Sequence, residues 1–150
     1  MKKLTLVLSL VLGALAVQAQ ALNPIEWTFS AKKIDDKTYE LHLSASIQGN
    51  WHLFSQTQPD NAIIIPTAFK FNSNPLVQLE GGLKEVGKLE KFHDKKLDVG
   101  ANQYSEKVTF VQTVKLKGST KTNVSGSVTY QTCDDERCLP PKTQKFSINL

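Results

Sequence analysis

Between Ile25 and Leu150, apolar residues recur at every second position in one run after another, and this period limits what the chain can fold into. Ile25, Trp27, Phe29 and Ala31 alternate with polar neighbours before the turn residues Asp35-Asp36-Lys37. Tyr39, Leu41, Leu43, Ala45 and Ile47 repeat the pattern up to Gly49-Asn50. Val108, Phe110, Val114 and Leu116 form a third run, closed by Lys117-Gly118-Ser119. Val124, Val128 and Tyr130 share a face, as do Phe146, Ile148 and Leu150. Successive strand residues point to opposite faces, so a period of two over this length means strands with one face buried. No window carries the apolar spacing of an amphipathic helix.

Shorter candidate strands lie between these runs, at Trp51 to Phe54, Ala68 to Phe71, Leu76 to Glu80 and Glu85 to Phe92, with Gly81-Gly82 breaking the last two. Seven to nine short strands separated by turn signals predict an all-β, immunoglobulin-like antiparallel sandwich, with a barrel as the competing architecture. The stretch from Lys91 to Tyr104 scatters single apolar residues among charges and reads as an irregular loop, either a plain connection or a cover over a site.

The first residues have the parts of a secretory signal: basic Met1-Lys2-Lys3, an apolar stretch from Leu4 to Val17, and small residues placing cleavage near Ala19 or Ala21. The apolar stretch is short for a membrane span. Residues 22–150 then suffice for one domain with a real core. Removing Lys2 and Lys3 takes the 18 basic residues to 16, against 14 acidic ones, so the net charge falls from +4 to +2. Without a basic run interleaved with aromatics, nothing points to nucleic acid. A soluble, monomeric, exported protein is expected, located in the periplasm.

Cys133 and Cys138 are the only cysteines, separated by Asp134-Asp135-Glu136-Arg137. In an exported protein they can form a disulfide that persists. Closing so short a ring removes little chain entropy, and roughly 2 to 3 kcal/mol is the most it can contribute. Such a pair suits making and breaking, although a static hairpin-tip disulfide has the same spacing. The three acidic neighbours oppose thiolate formation, whereas Arg137 favours it at Cys138. Cys138 is therefore the candidate for exchange with a partner, and Cys133 for resolving the mixed disulfide. Pro140-Pro141 would hold the exit extended. His42, His52 and His93 lack ligand spacing, so no metal site is expected, and there is no hydrolase triad or phosphate loop.

Val128-Thr129-Tyr130-Gln131-Thr132-Cys133 and Cys138-Leu139-Pro140-Pro141-Lys142-Thr143 resemble the active-site segment of the N-terminal periplasmic domain of DsbD, a thiol:disulfide interchange family. Gly49-Asn50-Trp51-His52-Leu53-Phe54-Ser55-Gln56, followed by Pro66, is similar to the family's aromatic segment. The resemblance spans nearly all of the chain after the signal. It implies a sandwich with the redox pair at one end, and a mixed disulfide carried by Cys138. His52 and Phe54 would pack beside the pair, with Asp134 and Arg137 modulating it. The Lys91 to Tyr104 stretch would be a cap, with Leu97 or Phe92 as its shielding residue. The family's familiar bacterial members place five residues between the cysteines, where this chain has four.

The function so implied is that of a protein-disulfide reductase component. It would take electrons in trans from a membrane thiol reductase by way of a thioredoxin-like domain or protein, and pass them to oxidised periplasmic proteins. No cofactor is called for, because the cysteine couple carries both electrons. A reading of another class is a non-catalytic immunoglobulin-like binding module with a structural disulfide.

Overall fold

The computed structural model describes residues 22–150; the expected signal segment, 1–19, lies outside the described residues. The strands, in chain order, are β1 (Ile25–Lys33), β2 (Thr38–Ile47), β3 (His52–Phe54), β4 (Ala68–Phe71), β5 (Val77–Gly87) and β6 (Glu90–Asp94). They continue with β7 (Val99–Tyr104), β8 (Lys107–Leu116), β9 (Asn123–Tyr130), β10 (Thr132–Cys133) and β11 (Lys142–Asn149). Every pairing is antiparallel and no helix occurs among the described residues. The fold is the expected immunoglobulin-like sandwich.

The sheets run β1-β2-β8-β5, β11-β9-β4 and β10-β3-β7-β6. The first two face each other, because the alternating residues of β1, β2, β8, β9 and β11 must leave water together. Leu41, Leu43, Val108, Phe110, Val114 and Val128 are fully covered. Burying each such side chain stabilises the fold by about 1.5 to 3 kcal/mol. Trp27 joins the sheets: its ring lies 6.0 Å from Phe29 in parallel stacking, 5.9 Å edge-on to Phe69 and 5.5 Å from Tyr130. Gly126 in β9 permits the close approach of β4 and β11. A Cβ there would run into the Lys70 carbonyl oxygen, and would sit 2.7 Å from Cζ of Phe146.

Two local expectations are corrected. Gly81-Gly82 does not end a strand; β5 runs through it, with its register on β8 shifting between Glu80 and Lys84. Gly81 takes a φ of +66°, which suits a bulge in a continuous strand. Gln112 occupies a core-facing position of β8, where its Nε2 donates to the Glu80 carbonyl (2.9 Å) at the shift and to that of Thr113 (2.9 Å). The Lys91–Tyr104 stretch is a hairpin, β6 and β7, rather than an irregular loop. Its alternation is hidden because Lys91, Phe92 and His93 of β6 are all exposed. Its turn is set by Asp94, whose Oδ1 accepts from Lys96 N (2.7 Å) and Leu97 N (3.1 Å).

The third sheet extends the body at one end. β3 follows β2, β7 leads into β8, and β10 continues β9 after Gln131. These strands pair with one another rather than with their body neighbours. The cysteines are on this small sheet.

Candidate functional site at the cysteine hairpin

Cys133 ends β10 directly opposite His52 of β3. Thr132 anchors that pairing through Oγ1, which donates to the His52 carbonyl (2.7 Å). The chain then reverses, so that Cys133 and Cys138 face each other as an antiparallel bridge. Its flanking hydrogen bonds run from Asp134 N to Arg137 O and from Leu139 N to Thr132 O, both 2.9 Å. The cysteines thus occupy a non-hydrogen-bonded pair, the arrangement that brings opposing Cα atoms closest in an antiparallel ladder. Their Cα atoms are 4.0 Å apart and the sulfurs are bonded.

Asp134 shapes the tip. Its Oδ1 accepts from the amides of Glu136 (2.9 Å) and Arg137 (2.8 Å), the local bonding that makes Asp a turn former. Those amides, that of Glu136 foremost, hold its carboxyl below the usual aspartate range. Arg137 reaches back toward Asp134 (4.0 Å) and lies 6.0 Å from the Trp51 ring centroid. The two sulfur-bearing residues differ in access: Cys133 is only 7% exposed, whereas Cys138 is at the surface.

Beside the disulfide lies a cavity of about 420 Å³ whose wall includes His52, Phe54, Ile63, Phe92 and both cysteines. Phe54 is buried and packs with Ala101 and Cys133 under the pair. Phe92, half exposed on β6, forms part of the wall. Leu97 sits at the tip of the β6–β7 hairpin, 70% exposed, and outside the cavity wall. His52, Phe54, Phe92, Asp134 and the cysteines are therefore brought to one cavity, while Arg137 and Leu97 lie outside its wall.

Sequence reasoning missed Ile63, Ile64 and Ile65. Their run before Pro66 lacks alternation, and an unalternating apolar triplet in a strand protein is the signal that was available. Ile63 is 77% exposed, and Gln131 ties the segment down by accepting from Ile65 N (2.9 Å) while its Nε2 donates to the Leu139 carbonyl (3.3 Å). Also missed was a polar chain behind His52. Its Nδ1 lies 2.9 Å from Ser105 Oγ, and that hydroxyl donates to Glu90 Oε2 at 2.9 Å. On the other side, His52 Nε2 lies 3.8 Å from Asp135 Oδ1.

Residues 18–150 match the family described as "Thiol:disulfide interchange protein DsbD, N-terminal". The chain belongs to the DsbD N-terminal family. Solved structures of the same fold include the reduced DsbD N-terminal domain of Neisseria meningitidis, at 14% identity and a TM-score of 0.54, covering 85% of this chain and 89% of that one. The N-terminal periplasmic domain of ScsB from Proteus mirabilis is 15% identical with a TM-score of 0.52, over 84% of this chain and 44% of that one. A structure of the complex between the DsbD N-terminal and PilB N-terminal domains of Neisseria meningitidis gives 15% identity and a TM-score of 0.53, over 85% and 87% of the two chains. A search of curated proteins gives no match. In this DsbD N-terminal fold the hairpin, the cavity and the access of the two sulfurs together suit thiol–disulfide exchange. No helix among the described residues is long and apolar enough to cross a membrane.

Proposed function

We propose that this protein is a periplasmic carrier of reducing equivalents, reduced by a membrane-linked thioredoxin-like donor and oxidised by disulfides of exported proteins. The observation that carries this reading is the unequal access of the two sulfurs. Exchange requires one sulfur open to an incoming thiolate and a second within reach to resolve the mixed disulfide. Cys138 is exposed at the rim of an apolar cavity, and Cys133 is covered at the end of a paired strand. A donor thiolate attacks Cys138 Sγ, the Cys138–Cys133 bond breaks, and its electron pair leaves on Cys133. A second donor thiolate releases the dithiol, and the sequence runs in reverse toward an oxidised acceptor.

Arg137, beside Cys138, favours the thiolate form of that residue, most strongly once a docked partner has displaced water. Ile63, Phe92 and the hairpin tip bearing Leu97 supply the apolar surface for docking and for shielding the pair from other oxidants. Residues 1–19 act as the export signal, with cleavage near Ala19 or Ala21. The complex of the Neisseria DsbD and PilB domains concerns those proteins, and supports a domain partner for this one.

The test is trapping with a thioredoxin-like partner. Cys133→Ser should hold a stable mixed disulfide through Cys138, whereas Cys138→Ser should hold little, as read by non-reducing electrophoresis. A greater yield from Cys138→Ser reverses the two roles. If neither variant traps a partner, the disulfide is a structural one in a binding module.

A further inference from the structure

We infer that His52 is the proton acceptor for Cys133, held in one tautomer by Ser105 and Glu90; this rests on the exchange reading above. Cys133 and His52 are register partners on neighbouring strands, so their side chains stand on the same face of the sheet, and both line the cavity. Directly opposed residues have Cβ atoms about 4.5 to 5.5 Å apart, within range for a thiol and an imidazole to meet.

The tautomer follows from the hydrogen bonds. A serine hydroxyl has one proton, and Ser105 gives it to the Glu90 carboxylate, which can only accept. Ser105 Oγ must then accept from His52, so Nδ1 carries the proton of the neutral ring. Nε2 is left with its lone pair on the side that carries the hairpin, 3.8 Å from Asp135 Oδ1. The charged groups around the ring are Asp135 and Asp134 on the hairpin and Glu90 behind Ser105, with Lys88 3.8 Å from the far oxygen of Glu90. Arg137 turns toward Trp51 instead.

The step balances. With a partner sulfur bonded to Cys138, the Cys133 thiol gives its proton to His52 Nε2 and its sulfur attacks Cys138 Sγ. The Cys133–Cys138 bond forms, the bond from Cys138 to the partner breaks, and the electron pair leaves on the partner's sulfur. In reverse, the imidazolium returns the proton to Cys133 as it departs. His52 is the catalytic group; Ser105 and Glu90 position it.

The reduced full-length mature protein can be mixed with 5,5′-dithiobis(2-nitrobenzoate), each released thionitrobenzoate being followed by absorbance. The first release reports attack on the reagent, and the second reports Cys133 resolving the mixed disulfide. His52→Gln should slow the second release about tenfold or more near neutral pH, a modest share of what a positioned base contributes. The first release should be unchanged, which also shows that the fold survives. Above about pH 9, where an ordinary thiol ionises unaided, the two proteins should converge. Ser105→Ala, which keeps the imidazole but frees its tautomer, should slow the second release by about threefold.

An equal slowing at every pH overturns the proposal, since a purely structural role would act that way. So does an unchanged second release, or slowing confined to the first. An unaltered rate in Ser105→Ala overturns the assignment of Ser105 and Glu90. If the unsubstituted protein releases no second thionitrobenzoate, exchange itself fails, and that result is distinct from all of the others.

Discussion

In the body of the sandwich, β8 buries five of its ten residues, four of them apolar, and its neighbours β2 and β5 run beside it for most of their length. At the cysteine end, β10 and β3 supply two and three residues; Leu53 of β3 and Tyr104 of β7 reach into the body's core, while Phe54, Ala101 and Cys133 form a separate small buried cluster with Ile64 against it. The body is held by apolar area. The cysteine end is held by hydrogen bonds from side chains to backbone and to one another. Thr67 donates to the Phe54 carbonyl (2.6 Å), and Gln58 both donates to the Asn102 carbonyl (2.7 Å) and accepts from its amide (2.8 Å). Glu85 receives Ser55 Oγ (2.7 Å), Gln56 N (2.7 Å) and Tyr104 OH (2.5 Å). This polar lattice gives the end its shape and leaves Ile63 and Phe92 of the cavity wall exposed.

The comparison breaks most visibly at Phe110, which is fully buried and packs 4.9 Å from Phe69 across the two sheets. Phe110→Ala removes a large buried ring and leaves a void, at a cost of about 3 to 5 kcal/mol. Chemical denaturation should show that loss. In whatever fraction stays folded, the reactivity of the cysteines toward a small thiol should be unaltered. A change in reactivity equal in scale to the loss of stability would mean that body and site form one unit.

The cysteine end has its own weak point in Tyr104. Burial, reinforced by the Glu85 carboxylate, pushes its hydroxyl well above the ordinary tyrosine value, so it remains a donor. Tyr104→Phe forfeits a hydrogen bond to a charged group, worth about 1.5 to 3 kcal/mol. The loss should appear as faster amide exchange around Ser55 and Gln56, whose partner Glu85 is loosened, with β1 and β2 little affected. The sign of the pH effect follows from the raised value. The stabilisation is complete below the unfolded tyrosine pKa of 10.0 and declines as pH rises past it, where the unfolded chain ionises first. Tyr130, raised by its own burial, contributes in the same direction. Replacing Tyr104 should therefore flatten the alkaline limb in part. An unchanged limb would remove Tyr104 from the account.

The same division decides what could be read from the chain beforehand. β2, β8 and β9 were legible because half-buried strands write their burial as alternation, and Leu41, Leu43 and Ala45 do so without exception. The β6–β7 hairpin was not, since an edge strand exposing Lys91, Phe92 and His93 in succession carries no period. The cysteine couple was legible from its spacing and its neighbours. The Ser105–Glu90 support of His52 was not: the bond between His52 and Ser105 joins residues 53 apart in sequence, and only the pairing of β3 with β7 brings them together. Gln112 shows the converse, a polar residue at a core-facing position that makes sense only once the bulge at Glu80 is seen.

The smallest expected effect, and the sharpest test of a polar site end, is at Asp134. Its carboxyl is depressed because the Glu136 and Arg137 amides bond to the ionised form. A depressed value means that the stabilisation is present at neutral pH and is lost as pH falls below the ordinary aspartate value of 3.8 and through the lower folded one. The amides of Glu136 and Arg137 should accordingly stay ordered between neutral pH and that range, then loosen. Asp134→Asn keeps an oxygen that can accept both bonds, so it should preserve the turn and abolish the acid-dependent loosening. Asp134→Ala should loosen the tip at every pH and speed reduction of the disulfide by a small thiol, while the global midpoint of unfolding barely moves. Amide chemical shifts of the two residues across an acid titration check all three proteins. If Asn and Ala behave alike, the charge rather than the turn bond holds the tip, and the hairpin is ordered by electrostatics that salt should screen.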